Sequence, residues 1–153
     1  MMVDEVYVLC SERSARMAKD LLAALAPHRE SCSEDFPFLQ FADTPEIVLT
    51  SAEEAIEWLD ESPCAGYSLY WKNTLRTEPW DFMLFYTEDG GLIVGITAYE
   101  TNTVAWLERL AKLTGGEYGY VTGEDPPPAT KVEFIDLCRT SQITRMVRGK
   151  IYE

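Results

Sequence analysis

Bases are scarce in this sequence, and histidine is nearly missing. Thirteen lysines and arginines stand against 26 aspartates and glutamates, so the formal net charge is −13. A chain so charged repels nucleic acid and anionic lipid and attracts cationic surfaces. The one histidine, His28, follows Pro27 in a proline-punctuated stretch, and any Ser-His-Asp or Cys-His constellation would have to use it. No Gly-x-Ser-x-Gly and no glycine-rich loop with a phosphate-binding lysine is present. Cys10, Cys32, Cys64 and Cys138 follow no paired metal-ligand spacing. A zinc site built on His28 and Cys32 would still need two ligands from distant segments. The cysteines therefore read as free thiols, Cys10 and Cys138 as small core residues, and no metal or organic cofactor is expected. Long apolar runs are also lacking: the longest, 92–98, falls far short of the roughly 18–20 residues that span a bilayer. The start, Met1-Met2-Val3-Asp4-Glu5, carries no base and does not resemble a signal peptide. The expectation is a cytoplasmic protein without membrane or nucleic-acid partners.

The acids have an address. Residues 27–62 hold ten of them, against Arg29 as the only base, whereas residues 131–153 carry five bases against three acids. A chain of 153 residues is most simply one domain, long enough to bury a core without disulfide or metal staples. Its 46% hydrophobic content is that of a folded protein.

Residues 5–10 are β-branched and aromatic and read as a strand. Ser11 suits an N-cap for a helix over 12–26, with Ala15, Ala18, Leu21, Leu22 and Leu25 on one face and Arg13, Arg16 and Asp20 opposite. Pro27 stops it. The acidic stretch 27–45 needs an anchor, which Phe38 or Phe41 can supply through a short strand, and 46–50 is the next strand candidate. Ser51-Ala52-Glu53-Glu54 fits a capping box that opens a helix over 51–61. At 100° per residue, Ala52, Ala55, Ile56, Trp58 and Leu59 fill one arc of that helix. Glu53, Glu54, Glu57, Asp60 and Glu61 fill the opposite arc.

Strands follow at 67–71, 80–87 and 92–99. Asp89-Gly90-Gly91 marks a hairpin between the last two, since glycine tolerates the positive φ of a tight turn. Val104, Leu107, Leu110, Ala111 and Thr114 give the inner face of a helix over 103–114, closed by Gly115-Gly116. Residues 117–122 read as a strand and Gly123-Glu124-Asp125-Pro126-Pro127-Pro128 as a rigid acidic turn. Thr130 to Glu133 is a second capping box, opening a short helix over 131–139, and 143–152 can pair as an edge strand. The fold class is α+β: a single domain with a mixed or mostly antiparallel sheet, a central hairpin at about 80–87 and 92–99, and three to four helices packed on it. A parallel doubly wound sheet is the alternative, and the hairpin argues against it.

The exposed acids carry the functional reading. Asp43, Glu46, Glu53, Glu57, Asp60 and Glu61 form a candidate surface for a basic protein partner, because like charges packed without lysine or arginine repel one another unless something uses their field. Tyr67, Tyr70, Trp71 and Trp80 are either core or an interface patch beside it. The segment from Glu78-Pro79-Trp80 through Phe85-Tyr86-Thr87-Glu88-Asp89-Gly90-Gly91-Leu92-Ile93-Val94-Gly95, with Gly123 to Pro128, resembles small acidic bacterial immunity-type proteins of polymorphic toxin systems. The resemblance spans residues 67–130. It implies a cytoplasmic protein that neutralises a toxin by binding it, and it assigns no residue a role. A non-enzymatic binding module for a basic protein is thus the expectation. A small hydrolase working through carboxylates and a regulatory scaffold are the alternatives.

Overall fold

Strand β1 (Val3–Leu9) shows what the sheet requires. Val6 and Val8 bury on one of its faces and Tyr7 and Leu9 on the other, so both faces of the sheet must be covered. The structure, a computed structural model, describes residues 2–38, 40 and 44–153. After β1 come α1 (Ala15–Leu25), β2 (Arg29–Ser31), β3 (Phe36–Phe38), β4 (Ile47–Leu49), α2 (Ala52–Asp60), β5 (Tyr67–Asn73), β6 (Asp81–Tyr86) and β7 (Leu92–Tyr99). Then follow α3 (Thr103–Thr114), β8 (Tyr118–Thr122), α4 (Lys131–Thr140), β9 (Arg145–Val147) and β10 (Lys150–Tyr152).

Eight strands form one sheet in the order β10-β9-β8-β1-β7-β6-β5-β2, and β3 pairs with β4 in a small second sheet. Every pairing is antiparallel. The fold is α+β, as the sequence predicts. The β6–β7 hairpin runs in register from Phe82↔Ile96 to Tyr86↔Leu92, with Gly90 at φ 84° in its turn. β1 lies beside β7 near the middle of the sheet.

Helices α1, α2 and α3 cover the first face, where their apolar sides meet Val6, Val8, Leu69, Phe82, Leu84, Val94 and Ile96. On the second face α4 brings Phe134 and Cys138 onto Tyr7, Leu9 and Tyr120. Gly95 makes that second face possible: a Cβ there would stand 2.6 Å from the Tyr7 ring. Thr130 opens α4 as expected, its Oγ1 accepting from Glu133 N at 3.2 Å. Gly115, at φ 66°, closes α3.

Several local readings change. The N-cap of α1 is Ser14, whose Oγ accepts from Met17 N at 3.0 Å. Ser11 instead donates to the Thr114 carbonyl at 2.6 Å. Arg13 therefore precedes the helix rather than lining its polar face. The strand expected at 46–50 is β4, but it belongs to the small sheet and leaves Ile47 and Val48 exposed. Phe38 is the anchor of the 27–45 stretch, packed on Trp58 and stacked on Tyr67 at 4.3 Å between ring centroids. Phe41 lies outside the described residues. The 143–152 segment forms its own hairpin, β9–β10, turned by Arg148 and Gly149 at positive φ.

Candidate functional site

Helix α2 carries the acidic face. Ser51 caps it, accepting from Glu54 N at 3.1 Å. Glu54 reaches back one residue further than a capping box requires, to Thr50 N at 3.4 Å. Ala52, Ala55, Ile56 and Leu59 are buried, which fixes the rotation of the helix. Glu53, Glu54, Glu57, Asp60 and Glu61 consequently all face solvent.

These carboxylates are less alone than the sequence implies. Lys19 of α1 pairs with Glu57, and the Arg29 guanidinium stands 3.6 Å from Glu53. Asp60 Oδ1 accepts from Ala15 N at 3.1 Å, which places a negative charge at the N-terminus of α1, where the helix dipole favours it. Neither Glu46 nor Glu61 has an ion pair among the described residues. Glu46 is exposed just before β4. Asp43, the sixth candidate, lies outside the described residues.

Beside the acids the structure places something the sequence does not announce. Ile47 and Val48 of β4 are 41% and 49% exposed, though apolar. Next to them a shallow groove of about 400 Å³ runs between β4 and α2, floored by Leu49 and Trp58. Glu53, Glu54, Glu57 and Glu61 form its rim. Trp58, expected on the inner arc, is half-buried and walls this groove. It also borders a larger cleft of about 610 Å³, which continues past Phe38 and Tyr67 to Tyr70 and Pro126–Pro128. Of the four aromatics considered for an interface patch, Tyr67 and Trp71 are core, Trp80 is half-buried, and Tyr70 is 42% exposed at that cleft. An apolar strip ringed by carboxylates suits a surface that is both cationic and apolar.

Two other polar constellations stand apart from this face. Arg13 lies among five backbone carbonyls: Thr87 at 2.8 Å, Gly91 at 3.4 Å, Leu59 at 3.3 Å, Ser62 at 2.8 Å and Ala65 at 2.9 Å. Its guanidinium also sits over the Tyr86 ring, 4.9 Å from the centroid. On the second face of the sheet the Tyr7 hydroxyl donates to the Glu5 carboxylate and lies 3.0 Å from the Asp125 carbonyl. Burial lifts the Glu5 carboxyl above the ordinary value near 4.5, and Glu124, Asp81 and Asp125 push the same way, while the Tyr7 hydrogen bond opposes them.

All four cysteines are free. Cys10 and Cys138 are buried, and burial pushes both thiols up to about 12, so neither supplies a thiolate near neutral pH. Cys32, Cys64 and His28 are exposed. Among the described residues no three histidine, cysteine or acidic side chains come together as metal ligands, and no helix is long and apolar enough to cross a membrane. Compared with known proteins, the chain matches no family model, no curated protein and no solved structure.

Proposed function

We propose that this chain is a non-enzymatic binding module whose α2–β4 face receives a cationic, partly apolar surface of a protein partner. In its fullest form it is an immunity-type inhibitor of a basic toxin. One observation carries the reading: Leu49 and Trp58, at the edge of the core, floor a groove rimmed by Glu53, Glu54, Glu57 and Glu61, and the exposed Ile47 lies on the same face of β4 as Leu49. Apolar side chains in the centre hold the complex together, while carboxylates at the rim draw the partner in. Toxins that act on nucleic acid are cationic by need, and an acidic inhibitor competes for the same charge.

A defined probe tests the charge and the strip together: a helical peptide with leucines on one face and lysines elsewhere, against a neutral peptide with the same leucines. The cationic peptide is expected to associate faster at low salt and to slow at least about tenfold at physiological ionic strength, where the Debye length is about 8 Å. Glu54→Lys with Glu61→Lys should slow association, and Ile47→Ser should hasten dissociation. Equal, salt-insensitive binding of both peptides would overturn the reading.

A further inference from the structure

A second surface, at the opposite end of the sheet, has the reverse character. Strands β8, β9 and β10 lie farthest from β2 and α2 in the strand order. Register puts Tyr120, Arg145 and Tyr152 in one row across them, and Val147 and Lys150 two residues along, in the next row on the same face. Tyr118 packs against the same second-face cluster as Tyr120 and Val147. Gly149 N donates to the Glu117 carbonyl at 2.9 Å, which folds the Arg148–Gly149 turn onto the start of β8.

Aromatic rings hold the cations in place. Arg139 of α4 lies over the Tyr118 ring at 5.6 Å and donates to its hydroxyl at 3.1 Å. Arg145 and Lys150 both lie over Tyr152, at 5.0 Å and 5.2 Å. Among the described residues, none of Arg139, Arg145, Arg148 and Lys150 has an ion pair, although Glu117, Asp136 and Glu153 are near in sequence. In a chain of net charge −13, partners for four bases are not in short supply. Arg139, Arg148 and Lys150 are exposed, while Arg145 is half-buried and donates to the Ile143 carbonyl at 3.1 Å.

We propose that this surface binds a phosphate monoester, its phosphoryl group taken by Arg139, Arg148 and the Tyr118 hydroxyl. Guanidinium forks match phosphoryl oxygens in pairs, and a phenol can accept from Arg139 while donating its own proton to the ligand. The Tyr118 hydrogen bond from Arg139 holds that phenol below its usual ionisation range, burial opposes it, and Arg148 adds to the lowering. The acidic α2 end does not cancel the local field. The end of α2 is tied through Arg13 to the β6–β7 turn, and five strand spacings of about 4.8 Å separate β6 from β10, about three times the physiological Debye length of about 8 Å. A long polyanion would still meet the acidic remainder of the molecule, whereas a single phosphoryl group would not.

The test is a titration of the intact protein with inorganic phosphate and with AMP, followed by NMR, with sodium chloride at matched ionic strength as the control. Saturable shifts confined to Tyr118, Arg139 and residues 145–152 are expected, tighter than about 1 mM. Ultraviolet titration should show a phenol ionising at higher pH when phosphate is bound. Arg139→Gln with Arg148→Asn should weaken binding at least tenfold. Asparagine suits the left-handed backbone at 148, and a thermal melt verifies that the variant folds. AMP binding more tightly than phosphate would show that the organic part of the ester adds contacts, and equal binding would identify the phosphoryl group alone; both support the site. No saturable response, the same shifts with chloride, or unchanged binding in the folded double variant would overturn it.

Discussion

Arg13 does more for this fold than its half-buried position suggests. Its five carbonyl partners come from the end of α2, the segment leading into β5, and the β6–β7 turn. Four of these carbonyls also accept a backbone N–H, so Arg13 adds a charged second donor that ties three segments together. Lysine offers three donors at a point rather than a planar fork, so Arg13→Lys is not conservative here. It should lower stability by about 2 kcal/mol, read from urea unfolding, because it removes charge-assisted bonds to several segments at once and the packing on Tyr86. Glu5 is the opposite case, a group the fold tolerates. Its carboxyl is raised above its ordinary value near 4.5, so the folded state binds its proton more tightly than the unfolded chain does. Stability from this group is fully present below about 4.5 and is lost as pH rises through the folded value. Glu5→Gln keeps an acceptor for Tyr7 and removes the charge. It should raise the melting temperature at pH 7, with the gain vanishing below the ordinary glutamate value. A gain that persists unchanged at pH 4 would contradict the assignment.

At the scale of elements, the acidic helix divides into carboxylates that hold the structure and carboxylates that do not. Asp60 satisfies the first turn of α1, whereas Glu61 has no ion pair among the described residues. Asp60→Ala should cost about 1 kcal/mol, the usual loss of a helix-capping acceptor, and Glu61→Ala close to nothing. Paired thermal melts decide this, and equal costs would dissolve the distinction. None of it is legible in one helix alone. The period of α2 shows which side is polar, but Lys19 and Arg29 arrive from other elements through tertiary packing. The long elements were readable because burial imposes their period: α3 spans Thr103–Thr114 and β7 spans Leu92–Tyr99, as the pattern predicts. The short ones were not. β2 is Arg-Glu-Ser, with nothing in its side chains to mark a strand. It exists because the outer edge of β5 needs partners for its backbone. Ser11 and Ser14 are equally good caps by sequence, and the approach of Thr114 to Ser11 decides between them.

Across the whole molecule, most of the acids gather towards one end of the sheet, and four bases without ion pairs among the described residues gather towards the other. The sequence places the acids and bases in separate windows but cannot say that one lies over β2 and α2 and the other across β8 to β10. Strand order settles that, and strand order is a property of the closed fold. The exposure of β4 escaped notice for a related reason: Ile47, Val48 and Leu49 are indistinguishable by type from a core strand, and only their place in the small sheet with β3 leaves Ile47 and Val48, on opposite faces, open to solvent. The position of β1 has a further consequence, for synthesis. Its neighbours are β7 and β8, and Leu9 must find Ile93 on one side and Tyr118 on the other. At about 5–20 residues per second, a ribosome needs several seconds to supply the first of those partners. Throughout that interval a strand with two apolar faces has no sheet to enter, so the nascent chain depends on chaperones or on transient cover from its own first helix.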